Sequence, residues 1–536
     1  MIPTTRIHWH HLRSNGEDRY WSVRTALVMA SAALLMGVVA APRAHGQNFT
    51  TLWNFSGSSG DGSNPQSVLI LSGGNLYGTT VWGGTGLGTI FKLSSSGATS
   101  TPTIYSFAGA PDGVNPYAGL VADGSGNFYG TTAGGGDNSC GMVFKMSANG
   151  VQPLHSFNCT SDGAFPYAAL TIDPTGTILY GTTAYGGSAG RYAGFGTIFT
   201  IATSGGNFAT LHTFVNTDGA NPTGSLILDS AGNLYGTTQY GGPITTAAPN
   251  PAGTVFMFNT STSVLTELYT FSGGSDGANP YAGVVQDSSS GNLFGTTVGG
   301  GLGYGTVFEL TPTSTTPVTY NPTTLYAFTG GADGAQPFAG VALGASGTLY
   351  GAAASGGSTS NSCNAYFSFP NVALGCGAIF ELVPPTGTST TYTFSVKHTF
   401  NYGDGAAPSA GLLIDSSGNL YGTTQYGGTS ANNKTGGTVF KITASTPKEL
   451  IHLLIGQVQG LVKSGALNSG EGTSLVAHLN SALRLLNMSN TTATISNLNG
   501  FIYEVQGLES GGQLDPTDAQ TLINAAQNII NLITTT

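Results

Sequence analysis

Few residues in this chain are of types that do chemistry. Charged residues make up 7% of 536, with 24 acidic and 14 basic. Seven aspartates, Asp61, Asp112, Asp162, Asp218, Asp276, Asp333 and Asp404, each precede a glycine. Asp-Gly pairs suit tight turns, since the carboxylate accepts from nearby backbone amides and Gly supplies positive φ. One carboxylate per loop, without an Asp-x-Asp-x-Asp run, is thin provision for calcium, and neither CxxC nor HExxH zinc spacing occurs. Gly186-Gly187-Ser188-Ala189-Gly190 spells a nucleophile elbow, but an elbow needs a strand, a sharp turn and a helix, and this one lies in a glycine-rich loop. No catalytic residue, metal or cofactor is assigned, although sequence alone leaves room for a carboxylate pair formed across distant segments.

Aromatic side chains are the other candidates. Trp82, Tyr185, Tyr240 and Tyr426 each stand just before a Gly-Gly pair. Flat rings beside carboxylates and amides suit sugars, the ring stacking on the CH face and the polar groups taking hydroxyls. The same four rings serve equally as packing groups. His155, His212 and His398 replace a tyrosine at equivalent positions and read as packing or rim residues rather than an assembled site.

These residues recur because the chain repeats. Asn-Leu-Tyr-Gly-Thr-Thr, or a close variant, returns at Tyr77, Tyr129, Tyr180, Tyr235, Phe294, Tyr350 and Tyr421, every 51 to 71 residues. An aromatic segment, Asp-Gly-x-Asn-Pro and Ala-Gly-Val precede it in each unit, and Gly-Thr-Val-Phe follows, closing at Phe91, Phe144, Phe199, Phe256, Phe308, Phe380 and Phe440. The apolar pieces are short, rich in Val, Ile, Tyr, Phe and Thr, and bounded by turn residues, so each unit predicts four strands. Four strands per repeat of about fifty residues is the pattern of a propeller blade.

The expected fold is therefore all-β: a seven-bladed β-propeller of four-stranded antiparallel blades over 47–446. The repeat begins with a fourth-strand segment, Thr51 to Phe55, and ends after a third strand near Thr443. The N-terminal strand should thus complete the last blade and close the ring. In such a blade the loop between the second and third strands and the loop to the next blade share a face, which places the seven Asp-Gly turns with the Gly-Gly loops.

The repeats resemble the bacterial Gloeo_Verruco, or GloVer, family over Phe49 to Thr443, on the recurring phrases quoted above. The resemblance implies a secreted tandem array of propeller type and carries no catalytic residues.

After Thr446 the phrases stop and apolar residues take helical spacing: Leu450, Leu454, Val458 and Leu461; Leu475, Leu479, Ala482 and Leu486; Ile495, Leu498, Ile502 and Val505; Leu522, Ala526, Ile529 and Ile533. Asp515-Pro516 supplies an N-cap with Pro at the first helical position. Residues 447–536 predict a small C-terminal α-helical bundle of four helices. On Val462-Lys463-Ser464-Gly465-Ala466-Leu467, Leu479-Asn480-Ser481-Ala482-Leu483 and the Ala-rich last helix, this tail resembles the FIMAH domain of secreted bacterial proteins.

Residues 1–46 carry four arginines before an apolar run from Ala26 to Ala41, then Ala44-His45-Gly46, which reads as a signal peptide. Sixteen apolar residues fall short of the ~20 a membrane span needs, so no span is expected after cleavage. Removing this segment takes five of the 14 basic and two of the 24 acidic residues, leaving net −13. That charge argues against nucleic acid as a partner.

Four cysteines fit an oxidising compartment and pair by position as Cys140 with Cys159 and Cys363 with Cys376, the latter inside one long insertion. The expected role is non-catalytic recognition or scaffolding outside the cell or in its envelope, with a glycan or an envelope protein as partner. The alternative is a polysaccharide-active enzyme using carboxylates near the channel. An enzyme should gather non-repeating acids at one spot, whereas a scaffold should show the repeated set.

Overall fold

The structure, a computed structural model, describes residues 49–535 apart from 59, 98–99, 101, 189–192, 316–317, 345–346, 358–362, 364–374, 386–390, 430–435 and 445. The expected signal peptide lies outside the described residues.

Seven four-stranded antiparallel sheets follow one another along the chain. Blade IV is representative, pairing Ile227–Leu228, Asn233–Thr238, Thr254–Asn259 and Val264–Thr270 in that order. Blade VII takes its first three strands from Leu413–Ile414, Leu420–Thr424 and Thr438–Ile442, and its fourth from Phe49–Asn54 at the other end of the repeat array. Phe49 stands opposite Ile442 and Asn54 opposite Thr438. The fold is the expected propeller, closed by its N-terminal strand. Closure removes the exposed ends that an open array would leave.

The recurring phrases now have packing reasons. In blade IV the glycine of Tyr-Gly-Thr-Thr, Gly236, faces Phe256 of Gly-Thr-Val-Phe across the sheet. A Cβ on Gly236 would lie 2.6 Å from Phe256 Cζ, so the glycine is there to admit the ring. The same cross-strand pair forms in all seven blades. The second threonine of the phrase meets the threonine after the loop, as in Thr238 with Thr254 at 2.8 Å, both fully buried. A hydroxyl pair satisfies two polar groups where the sheet is dry.

Blades are joined by aromatic contacts. Phe55, Phe107, Phe157, Phe214, Phe271, Phe328 and Phe400, each just beyond a fourth strand, meet the closing phenylalanine of the next blade edge to face, with centroids 5.1 to 5.5 Å apart. Such contacts contribute about 0.5–1.5 kcal/mol each beyond the area they bury. The series runs unbroken through Phe55 and Phe91, which carries the packing across the junction of the chain's two ends.

The first strands are innermost. Ser225 Oγ accepts from the Ala169 backbone amide at 3.2 Å, and Thr223 Oγ1 donates to the Tyr281 carbonyl at 2.8 Å, linking first-strand segments of successive blades. A Cβ on Gly119 would stand 2.7 Å from the Val68 carbonyl oxygen. The Ala-Gly-Val phrase is small because seven backbones crowd around one axis.

The C-terminal region forms four helices, Pro447–Ser464, Ser469–Asn487, Thr491–Ser510 and Pro516–Thr535. Each packs on two others, and Leu454, Val458, Leu475, Leu479, Leu498, Val505, Leu522, Ala526 and Ile529 fill one core. Asn468 and Glu471 form a capping box at the second helix, and Asp515 accepts from the Thr517 amide at 2.8 Å at the fourth. None of the described helices is long and apolar enough to cross a membrane.

Candidate functional site

The loops of one propeller face hold most of the residues singled out from the sequence. In blade III the segment after Asp162-Gly163 meets the Gly-Gly loop through the antiparallel bridge of Ala164 with Tyr185, and blades IV to VII repeat it. Blades I and II make the same contact as two-stranded ladders, Gly62–Ser63 with Trp82–Gly83 and Gly113–Val114 with Gly134–Gly135.

Each Asp of the repeated set closes its own turn. The carboxylates accept from the backbone amides of Ser56, Ala108, Asn158, Val215, Ser272, Thr329 and Asn401 at 2.7 to 3.0 Å. Each also meets an aromatic donor on the preceding fourth strand. Tyr105, Tyr269 and Tyr326 donate their hydroxyls to Asp112, Asp276 and Asp333 at 3.0 Å. His155, His212 and His398 place Nε2 at 3.0 to 3.1 Å from Asp162, Asp218 and Asp404, and Trp53 Nε1 lies 3.4 Å from Asp61. Facing a carboxylate, each Nε2 is assigned the proton.

Two of the histidine rings are also sandwiched between blades, His155 stacked on Phe208 at 3.7 Å and His398 on Phe49 at 3.8 Å. Burial by itself would raise the Asp218 carboxyl, but hydrogen bonds from His212 and the Val215 amide overcome it and hold the group below the usual aspartate range. The balance at Asp276 is the same, with Ser272 and Tyr269 donating.

The Asn of Asp-Gly-x-Asn-Pro has a role that its turn propensity only hints at. Asn115, Asn221 and Asn279 adopt φ of 55° to 56°, a left-handed conformation that Asn tolerates better than most residues. Their Nδ2 groups donate to the carbonyls of Val81, Ala184 and Gln239 in the preceding blade at 2.8 to 3.1 Å. Phe165, Gln336 and Ala407 hold the same φ in blades where Asn is missing.

The four aromatics before Gly-Gly divide. Trp82 and Tyr240 are about half exposed, at 46% and 48%. Tyr185 and Tyr426 are partly buried against the cores of their blades. A second aromatic set, which the sequence reading did not single out, follows the Pro of four of the seven turns: Tyr117, Tyr167, Tyr281 and Phe338. Its signal was available, since all four occupy one repeat position, but no single copy differs in type from an ordinary core aromatic.

The fold carries this set to the inner rim, where Tyr117 meets Tyr167 and Tyr281 meets Phe338 edge to face at 5.3 and 5.5 Å. Burial pushes the Tyr281 phenol up, reinforced by the phenols of Tyr117, Tyr185 and Tyr240. Burial likewise raises Tyr117, with Tyr426 adding to it. Phenols from blades II, III, IV, V and VII therefore lie within electrostatic reach of one another.

The same loop face exposes Phe195, Val215, Ile244 and Leu302, the last two at 77% and 65%. The seven repeated carboxylates of this face are committed to turns.

Several of the remaining acids have partners of their own. Asp123, Asp229 and Asp415 lie in hairpins between first and second strands, on the opposite face, and bind Tyr129, Tyr235 and Tyr421 at 3.0 to 3.1 Å. Glu381 pairs with Lys397 at 2.7 Å, Glu309 accepts from Asn292 and Glu267 from Thr270. Among the described residues no three His, Cys, Asp or Glu group as metal ligands. Ser188 is exposed, and the next strand, Thr197–Ala202, takes the place of the helix that an elbow requires; Ala189 and Gly190 lie outside the described residues.

Both cysteine pairs are bonded as expected, Cys140 with Cys159 and Cys363 with Cys376. The first ties a second-to-third-strand loop to the loop entering the next blade. The second lies within the insertion of blade VI.

No match to a curated protein is found. Solved structures with similar backbones include the extracellular domains 1-2 of Drosophila Semaphorin 1a, at 11% identity, TM-score 0.43, covering 75% of this chain and 92% of that one. The N-terminal domain of Nup159 matches at 9% identity, TM-score 0.35, with 75% and 97% covered. The polysaccharide lyase Uly1 matches at 9%, TM-score 0.36, with 72% and 90% covered. At these values the likenesses carry no functional argument. The FIMAH domain profile matches residues 452–531, the helical region. The profile of the Gloeobacter/Verrucomicrobia repeat matches residues 33–195 and 172–366, more than half of the chain, and the protein belongs to that family.

Proposed function

We propose that this is an exported, non-catalytic recognition protein that binds a neutral glycan or an envelope protein through the loop face of its propeller. One observation carries the reading: exposed apolar side chains and channel-mouth phenols gather on the face where the repeated carboxylates are already committed to turns. Aromatic rings offer sugars a stacking surface and phenols offer hydrogen bonds. The two disulfides and the N-terminal segment support export, and the net negative charge disfavours nucleic acid.

The test is a glycan array on the exported chain, with the same polysaccharides assayed for released reducing ends. Binding without release, lost in Trp82→Ala/Tyr240→Ala, is the expected result. Release of reducing ends would establish the polysaccharide-active alternative. Silence on the array turns the reading to an envelope protein, which a pull-down with and without the same substitutions tests.

A further inference from the structure

Aromatic side chains are distributed unevenly around the inner rim. Every one of the seven turns has a proline, and the residue after it differs between blades I to VII: Gln66, Tyr117, Tyr167, Thr223, Tyr281, Phe338 and Ser409. All seven are partly exposed. Blades II and III thus carry one aromatic pair, Tyr117 with Tyr167 at 5.3 Å, and blades V and VI another, Tyr281 with Phe338 at 5.5 Å. Blade IV separates the pairs on one side and blades VII and I on the other, so the pairs oppose each other across the ring axis. The phenols of Tyr117 and Tyr281, one from each pair, lie within electrostatic reach.

Between the pairs the rim carries no ring. Thr223 is short, and its Oγ1 is committed to the Tyr281 carbonyl at 2.8 Å. The three blades without a rim aromatic, I, IV and VII, each carry an aromatic before Gly-Gly instead: Trp82, Tyr240 and Tyr426. Only blade III has both, and its Tyr185 is partly buried. Each of these loops is tied to the turn leading to its own rim position, with Trp82 opposite Ser63, Tyr240 opposite Ala220 and Tyr426 opposite Ala406. Trp82 and Tyr240, both about half exposed, therefore mark opposite ends of a groove that crosses the rim from blade I to blade IV.

We propose that this groove, within the loop-face reading on which it rests, holds the interior of a linear neutral polysaccharide lying across the axis between two aromatic walls. Charge specifies a neutral chain, because none of the seven rim residues is ionised near neutral pH. The walls offer rings to the CH faces of sugars, and phenols with Gln66 offer hydrogen bonds to hydroxyls. The gaps at blade IV and at blades VII and I let a chain run through, whereas a ring of seven equal residues would admit only a chain end.

The probes are cello-, xylo- and manno-oligosaccharides from disaccharide to octasaccharide, with oligogalacturonate as charged control, titrated onto the exported chain with both disulfides intact. Affinity for at least one neutral series should rise with chain length by roughly tenfold or more and then level off, and oligogalacturonate should not bind. Trp82→Ala and Tyr240→Ala, one at each end, should each weaken the octasaccharide by roughly three- to tenfold. Thr223→Tyr obstructs one gap with a residue that three equivalent positions already hold, and it should weaken the octasaccharide by roughly tenfold or more.

Affinity that does not change with chain length, preference for oligogalacturonate, or a Thr223→Tyr protein that binds like its parent would overturn the groove. If the Trp82→Ala/Tyr240→Ala protein loses binding that Thr223→Tyr and Ser409→Tyr both retain, the loop-face reading stands and the groove alone falls. Failure of every neutral series to bind overturns the groove and the glycan reading together. If Thr223→Tyr does not fold, Ser409→Tyr at the other gap decides.

Discussion

Gly236→Ala isolates the contact on which the repeat phrase depends. The added methyl would lie 2.6 Å from Phe256 Cζ and 2.7 Å from Leu226 Cδ2. Unstrained carbon contacts need about 3.5–4.0 Å, so the methyl overlaps two buried groups by roughly 1 Å. Gly236 is not among the positive-φ residues, so the cost is steric rather than conformational. Overpacking of this kind costs about 1–3 kcal/mol, and the stiffer unfolded chain returns about 0.4–1 kcal/mol. The net expectation is a loss of about 1–2 kcal/mol from one methyl.

Phe256→Leu alone should cost about 1–2 kcal/mol through lost burial, yet the double variant should be less destabilised than the sum by about 1 kcal/mol, because the ring that clashes is gone. Guanidinium unfolding followed by the fluorescence of Trp53 and Trp82 reads the propeller selectively, since the other two tryptophans, Trp9 and Trp21, lie in the expected signal peptide. A Gly236→Ala protein as stable as its parent, or strict additivity with Phe256→Leu, would refute the steric account.

Four further outcomes are expected. Replacing Cys140 and Cys159 by Ser, a pair 19 residues apart, should remove about 3 kcal/mol of loop constraint, and reductant, which also opens Cys363–Cys376, should bring the parent to the same midpoint or below it. The Asp218 and Asp276 carboxyls are held below their usual range in the folded protein. Their stabilisation is therefore present above an unfolded pKa of about 3.9 and lost as pH falls through the lower folded values; Asp276→Asn should flatten the acid limb of a stability profile. In alkali the sign reverses. Burial, then the Asp112 charge, pushes Tyr105 up to about 12, so its contribution is intact below pH ~10 and lost as pH rises towards that value, which phenolate absorbance measured alongside unfolding will show. Removing Phe49–Asn54 takes the fourth strand from blade VII, and the shortened chain should lose its cooperative unfolding transition and associate, as size-exclusion chromatography will reveal.

The propeller was legible because its units are copies. A phrase repeated seven times reports strand number, turn position and blade count together, and the offset between Thr51 and Thr443 reveals how the ring shuts. Disulfide pairing followed from the same bookkeeping, because loops on one face of one blade are neighbours in any propeller. Helical spacing after Thr446 placed Leu454, Leu479, Leu498 and Ala526 in one core, where the structure has them. The proposed binding face was harder to read. Tyr117, Tyr167, Tyr281 and Phe338 look like ordinary strand-entry aromatics in sequence, and only the closing of the ring brings residues from distant repeats to one channel mouth.

What the chain determined by itself is everything local and periodic: strands from short β-branched and aromatic pieces between turn residues, turns from Asp-Gly and Asn-Pro, helices from their spacing and caps. Why those particular residues recur was decided by tertiary structure. Gly236 is glycine because Phe256 lies over it, Asn279 is asparagine because a positive φ and a carbonyl of the previous blade coincide there, and His398 can replace tyrosine because a ring and a donor to Asp404 suffice between two blades.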